Sequence, residues 1–139
     1  MSTATLRAPA THATTMTTEQ TRERVARLVQ LAERWEIIPA IEELYDEAVA
    51  VQENLAPPMI GKAANLERER GFVAWVAEVR EMRAAAILVD GNRSVINWHQ
   101  DLVGTDGKHL VFDQLVIQEW KNGKIVKERF VYDPGTLAK

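Results

Sequence analysis

The spacing of apolar residues changes from a helical to an alternating pattern near the middle of the chain. Apolar positions recur three or four residues apart after Thr18, around Pro39 and over residues 67–83, and a proline can occupy the first turn of a helix. Residues 48–52 form a short β-prone run, and Pro57-Pro58 marks a loop. The first part of the chain therefore predicts a helix, a helix, a strand and a helix.

From residue 84 onward the chain has short strand-like segments, the first of them the apolar run at residues 84–89, and three turn sequences separate these segments. The turns are Asp90-Gly91-Asn92-Arg93, Thr105-Asp106-Gly107-Lys108 and Lys121-Asn122-Gly123-Lys124. They predict four consecutive antiparallel strands. Helices followed by such a run of strands indicate an α+β domain, in which the helices cover one face of a curved antiparallel sheet.

Composition narrows the class of protein. A chain of 139 residues can bury roughly two thirds of its unfolded surface, so one domain is stable without crosslinks. The net charge of −3 argues against a nucleic-acid surface, and the absence of cysteine excludes disulfides and thiolate sites. No apolar run approaches the roughly 18 residues of a membrane span. We expect a cytoplasmic protein that binds neither nucleic acid nor membrane.

The first 17 residues differ in composition from the remainder. They are rich in threonine and alanine, contain few large apolar side chains, and lack the apolar core of a secretory signal. We therefore predict a disordered tail over residues 1–17 and a single domain over residues 18–139. Met16 would be a plausible alternative initiator.

Three short motifs, in this order of elements, resemble the SnoaL-like branch of the nuclear transport factor two-like superfamily. They are Leu44-Tyr45-Asp46-Glu47-Ala48, Gly61-Lys62-Ala63-Ala64 and Asn122-Gly123-Lys124-Ile125-Val126. The resemblance implies a cystatin-like cone, with a curved sheet wrapped on the N-terminal helices around a pocket. Relatives include polyketide cyclases and ketosteroid isomerases, so it also implies a small-molecule ligand.

Most of the best-known catalytic positions of that superfamily carry apolar residues here. The resemblance places the isomerase base near Gln52 or Glu53, and which of the two faces the pocket stays open. It places an oxyanion-binding position on Val116 and the cyclase acid/base on Phe130, and neither side chain can transfer a proton. Any catalysis would need other residues.

Strand parity predicts which side chains point into the cone. We expect residues 121–123 to form a three-residue loop, so that Trp120 pairs with Lys124; a two-residue Asn-Gly turn would swap the pairing. Alignment to the family also places Asn97, His99, Asp101 and Glu53 on the inner face. We include Trp75 among the residues that line the pocket. The predicted ligand-binding residues are Asn97, Gln114, Val116, Gln118, Phe130, Tyr132, Glu53 and Trp75.

The predicted proton-handling residues are His99, Asp101 and Glu128. His99 and Asp101 lie two positions apart on one strand, where a carboxylate can orient an imidazole. Glu128 would lie among apolar side chains, and burial raises the pKa of a carboxyl group. The histidines are not spaced as a ligand pair and no phosphate-binding loop occurs, so we predict no metal and no cofactor.

Two functions remain open, together with a purely structural role if aromatic side chains fill the cone. One is an enzyme that acts by general acid/base catalysis on an apolar oxygenated or cyclic compound. The other is a non-catalytic binding or accessory module, in which Val116 and Phe130 mark lost catalytic positions. For both we predict a homodimer through the outer sheet face, which would carry Trp98, Leu102, Leu115, Ile117, Ile125 and Val131.

Overall fold

The computed structural model describes residues 15–138, which form three helices, a six-stranded sheet and a short C-terminal helix. The first half contains α1 (Thr18–Glu33), α2 (Ile37–Leu44), β1 (Tyr45–Glu53), β2 (Met59–Ile60) and α3 (Lys62–Trp75). The second half contains β3 (Val76–Asp90), β4 (Arg93–Gly104), β5 (His109–Lys121), β6 (Lys124–Val131) and α4 (Pro134–Ala138). No helix among residues 15–138 is long and apolar enough to cross a membrane.

The sheet is open, with the strand order β2-β1-β6-β5-β4-β3. All neighbouring strands are antiparallel except β1 and β6, which are parallel. The α+β class is as predicted from the sequence, and the curved sheet wraps on the helices. The parallel pair was not expected. It joins the first and the last long strand of the chain, which are the second and third strands from one edge of the sheet.

The domain begins two residues before the predicted boundary. Thr17 is the N-cap of α1, where its hydroxyl accepts from the backbone N–H of Gln20 while the Gln20 side chain accepts from the backbone of Thr17. Met16 is buried and belongs to the main core. Met16 and Thr17 therefore belong to the domain instead of the predicted tail, whose first 14 residues lie outside the described part of the chain.

The third helix is shorter than its sequence pattern predicts. It ends at Trp75, and residues 76–83 belong to β3 instead of the predicted helix. The apolar residues of this segment also suit a strand, and pairing with β4 along its whole length outweighs helix propensity. β3 is an edge strand, and its charged side chains are typical of edges that must not pair with another chain.

The β5–β6 hairpin corrects the predicted loop but keeps part of the predicted parity. Asn122 and Gly123 both have positive φ (53° and 79°) and form a two-residue turn between Lys121 and Lys124. The pairing then shifts between Glu119 and Trp120, because Val126 is an extra residue in β6. Beyond this bulge Gln118 pairs with Glu128 and Val116 with Phe130, so these four side chains share the inner face as predicted.

The predicted faces of β4 are wrong. Buried and partly exposed residues alternate along the strand, and the buried inner residues are Ser94, Ile96, Trp98, Gln100 and Leu102. Asn97, His99 and Asp101 lie on the outer face. Of the predicted outer stripe, Trp98, Leu102 and Ile125 are also buried inside. The outer face keeps Leu115, Ile117 and Val131.

Candidate functional site

A cavity of about 270 Å³ lies between the helices and the inner face of the sheet. This volume is just below the usual range of about 300–1,000 Å³ for ligand pockets. Aromatic side chains border the cavity without filling it. Its apolar wall includes Leu28, Ile37, Ile41, Phe72, Phe112, Val116 and Phe130.

Glu128 is the central polar group of the cavity wall. Only 4% of the residue is exposed, and β6 positions it opposite Gln118 of β5. The Tyr45 hydroxyl, at the start of β1, donates to Oε1 of Glu128, and Gln118 Nε2 donates to Oε2 at 2.6 Å. Each oxygen of the buried Glu128 carboxyl group therefore has its own hydrogen-bond donor, Tyr45 for Oε1 and Gln118 for Oε2.

Burial raises the pKa of Glu128 from 4.5 to about 7, and the hydrogen bonds from Tyr45 and Gln118 oppose this rise. Burial and the neighbouring Glu128 carboxylate raise the pKa of Tyr45 well above its usual value of 10. At neutral pH, Tyr45 therefore keeps its proton, whereas Glu128 is present in both forms.

A buried chain of hydrogen bonds fixes the Gln118 amide. Trp120 Nε1 donates to Ser94 Oγ at 2.9 Å, and Ser94 Oγ donates to Gln118 Oε1 at 2.9 Å. An indole N–H can only donate, so the Ser94 hydroxyl must accept from it and is free to donate onward. Gln118 therefore turns its NH₂ group toward Glu128.

Arg68 organises a second polar cluster in the same cavity. Its Nη1 lies 3.2 Å from Glu53 Oε2, and its Nη2 donates to Oδ1 of the buried Asn65 at 2.9 Å. The Tyr132 hydroxyl donates to Glu53 Oε1 at 2.6 Å. The pKa of Tyr132 is raised to about 12, mainly by burial and to a lesser extent by this hydrogen bond. Glu69, next to Arg68 on α3, has its pKa raised by burial.

The structure brings together most of the predicted ligand-binding residues. Those that line the cavity are Glu53, Gln114, Val116, Gln118, Phe130 and Tyr132, together with the predicted acid Glu128. Gln114 accepts a hydrogen bond from Gln100 at 3.2 Å. Glu53, not Gln52, is the member of that pair that lines the cavity.

Four predicted site residues lie elsewhere. His99 and Asp101 are on the outer face, where His99 Nδ1 lies 2.7 Å from Asp113 and Asp101 lies 2.7 Å from His109 Nε2. Asn97 is on the same outer face. Trp75 packs in a second apolar cluster, beside Phe72 and against Gly104. The predicted pairing of His99 and Asp101 inside the cone is therefore wrong.

Sequence reasoning missed Tyr45, Arg68 and Glu69. The helical spacing of apolar residues around Pro39 extends to Tyr45 and indicates a position on α2, but β1 begins at this residue. Arg68 and Glu69 belong to a charge-rich run that indicates a solvated helix face. The available signal was spacing, because Glu69 follows Asn65 by four residues and precedes Phe72 by three, which places all three on one side of a helix.

These groups can transfer a proton to a bound compound and hold its polar atoms. Glu128 can give or take the proton, and Tyr45 can donate a hydrogen bond. Within residues 15–138, no group of three histidine or acidic side chains is arranged to hold a metal ion.

The fold and cavity define a cone-shaped α+β protein with an internal pocket. The chain belongs to the SnoaL-like domain family, whose model matches residues 16–132. None of the curated protein sequences matches it significantly.

Several solved structures share the fold. A protein from Mesorhizobium loti described as a SnoaL-like polyketide cyclase is 21% identical, with a TM-score of 0.70 over 78% of this chain and 96% of that chain. One from Jannaschia sp. CCS1 with the same description is 13% identical, with a TM-score of 0.74 over 86% and 90%. An LEH-like epoxide hydrolase from M. tuberculosis is 13% identical, with a TM-score of 0.69 over 86% and 87%. At these identities the likeness concerns the fold alone.

Proposed function

We propose that this protein binds an apolar oxygenated or cyclic compound in the cavity, and that Glu128 transfers a proton to or from it. The proposal depends on one observation, the environment of the Glu128 carboxyl group. A carboxyl group that is almost fully buried lines a largely apolar cavity, and its two oxygens are held by Tyr45 and Gln118. Of the three predicted proton-handling residues, the proposal keeps Glu128 and leaves out His99 and Asp101.

The acidity of Glu128 suits general acid/base catalysis. Such catalysis is most effective when the pKa of the group lies near the working pH, and burial raises this one to about 7. Tyr45, which keeps its proton, would stabilise negative charge that develops on Glu128 or on a ligand oxygen. Relatives described as a polyketide cyclase and an epoxide hydrolase support the view that this fold accommodates small-molecule enzymes.

A second candidate is a binding protein without catalysis. Each Glu128 oxygen already accepts a hydrogen bond from the protein, and a hydrogen-bonded carboxyl group of this kind can be purely structural. In that case Glu128 would define the shape and polarity of the pocket, and the ligand would leave unchanged.

The variant Glu128→Gln separates the two candidates. We would first identify compounds that raise the melting temperature of the wild-type protein, since ligand at about 100 times its Kd adds about 2.7 kcal/mol of stability. We would then follow their conversion by mass spectrometry. We expect Glu128→Gln to retain binding and to lose about 10²- to 10⁴-fold in turnover, because the amide cannot exchange a proton.

Glu119→Gln makes the same chemical change on the outer side of β5 and serves as the control. Turnover by Glu128→Gln within a factor of two of wild type would contradict the acid/base role. If the wild-type protein binds compounds but converts none of them, the binding candidate stands instead.

A further inference from the structure

Arg68 has one nitrogen atom, Nε, that forms an ion pair but has no hydrogen-bond acceptor within residues 15–138. Nη1 and Nη2 face Glu53 and Asn65, but the Nε atom is buried and donates to no group within residues 15–138. A buried donor without an acceptor is costly, so most such groups in folded proteins have a partner. Arg68 lines the cavity, so a ligand that displaces the atoms covering Nε can supply that partner.

Glu69 lies beside this free donor. Its Oε2 is 3.8 Å from Arg68 Nε, which is too long for a direct hydrogen bond. An oxygen atom of a ligand can join the two groups if it accepts from Nε and donates to Oε2. The side chains of Arg68 and Glu69 are 26% and 22% exposed, and both border the cavity.

Few chemical groups satisfy both partners. A hydroxyl both accepts and donates, whereas a carboxylate only accepts and an ammonium group only donates. A carboxylate would also add negative charge to a cavity whose described lining has three carboxyl groups and one guanidinium group. An ammonium group would leave Nε without an acceptor and place a second positive charge beside Arg68.

We propose that Arg68 and Glu69 form a hydroxyl-binding subsite, so that the ligand is a neutral alcohol with an apolar body. The inference rests on the proposed function only in taking the cavity as the ligand site. It does not require that Glu128 act as an acid or base. It adds a chemical class that neither the fold nor the family defines.

Naphthalene derivatives that differ in one substituent test the subsite. Titration calorimetry would compare naphthylmethanol, methylnaphthalene, naphthoate and naphthylmethylamine against the wild-type protein. We expect naphthylmethanol to bind about tenfold more tightly than each of the others, the gain of a charge-assisted hydrogen bond. In Glu69→Gln this preference over methylnaphthalene should fall about fivefold or more.

Glu67→Gln is the matched control, because Glu67 lies on the same helix and its side chain is 84% exposed. It should keep the wild-type preference. Equal binding of alcohol and hydrocarbon to wild type, or an unchanged preference in Glu69→Gln, overturns the subsite. A preference lost in Glu128→Gln but kept in Glu69→Gln also overturns it, and leaves the proposed role of Glu128 intact. Failure of all four probes to bind at millimolar concentration counts against the subsite and the pocket together.

Discussion

The carboxyl group of Glu128 has lost nearly all contact with water, and the pH dependence of stability follows from this loss. Its pKa is 4.5 when exposed and about 7 when buried. Between these values the folded protein binds a proton that the unfolded chain has released. The stability contributed by the protonated group is fully present below pH 4.5 and is lost as the pH rises through about 7.

Glu128→Gln should remove this pH dependence, because the amide does not ionise. A rise in pKa from 4.5 to about 7 corresponds to about 3 kcal/mol. We expect the variant to gain about 2–3 kcal/mol relative to wild type between pH 5 and pH 8. Urea denaturation at several pH values measures this difference. A constant difference over that range would contradict the raised pKa, and Glu119→Gln controls for the loss of one carboxyl group.

Ser94 fixes the orientation of the Gln118 amide, which lines the cavity. In Ser94→Ala the Trp120 N–H loses its acceptor and Gln118 loses the donor that fixes its amide, which costs about 1–3 kcal/mol of stability. The Gln118 amide can then turn its oxygen toward Glu128, so we expect the pKa of Glu128 to rise further.

Infrared titration of the carboxyl group tests this role of Ser94. Val95→Ala, on the outer side of the same strand, controls for truncation of a side chain. If Ser94→Ala lowers stability but leaves the titration of the Glu128 carboxyl group unchanged, Ser94 stabilises the fold without orienting Gln118.

At the scale of elements, simple alternation was the most reliable signal. On β4 the large apolar residues Ile96, Trp98 and Leu102 fall on alternate positions of one face, and the structure buries that face. Family alignment predicted the opposite face for His99 and Asp101, and most of the error in the site came from this choice. Each strand position points to one face, so a shift of one residue reverses every side chain of a strand.

The β5–β6 hairpin shows why local rules gave the correct face of Glu128 despite a wrong turn. A three-residue loop and a two-residue turn followed by a bulge both add one residue to the hairpin, so they give the same faces further along. The contact of Tyr45 with Glu128 could not be predicted in this way. It depends on the parallel pairing of β1 and β6, which no turn sequence encodes.

Gly104 allows the end of β4 to approach the end of α3. A Cβ atom at this position would lie 2.1 Å from Cζ2 of Trp75, so the ring would have to move. We expect Gly104→Ala to cost about 1–3 kcal/mol, measured from urea midpoints.

Gly71 provides the comparison for this substitution. It lies within α3, and a Cβ atom there would meet no heavy atom of the described chain within 4 Å. Gly71→Ala should therefore stabilise the protein by about 0.5–1 kcal/mol. Equal effects of the two substitutions would show that the Trp75 contact carries no strain.

At the scale of the whole molecule, the outer sheet face remains apolar in its centre. Leu88, Val95 and Ile117 are directly opposite one another on three strands, and Leu115 is opposite Val131. Leu88, Leu115 and Ile117 are 68%, 42% and 40% exposed. We predict a homodimer through this face, although the stripe differs from the one expected from the sequence.

Light scattering tests the dimer. Wild type should have twice the monomer mass of 15.7 kDa, and Ile117→Glu should be monomeric or insoluble. Leu55→Glu introduces the same charge in the loop after β1, where Leu55 is 83% exposed, and should stay dimeric. A wild-type mass of 15.7 kDa at micromolar concentration would contradict the prediction.

The parallel pairing of β1 with β6 also limits the order in which the fold can form during synthesis on the ribosome. Tyr45 and Glu128 are 83 residues apart in the chain, and a ribosome delivers the phenol long before the carboxyl group. β1 must wait for its long sheet partner until the last strand emerges, whereas α1 can already pack on β3 and β4. Chain closure over so long a separation slows folding. A nascent chain that stalls before β6 would lack Glu128 and Phe130 and would expose an incomplete pocket to chaperones and proteases.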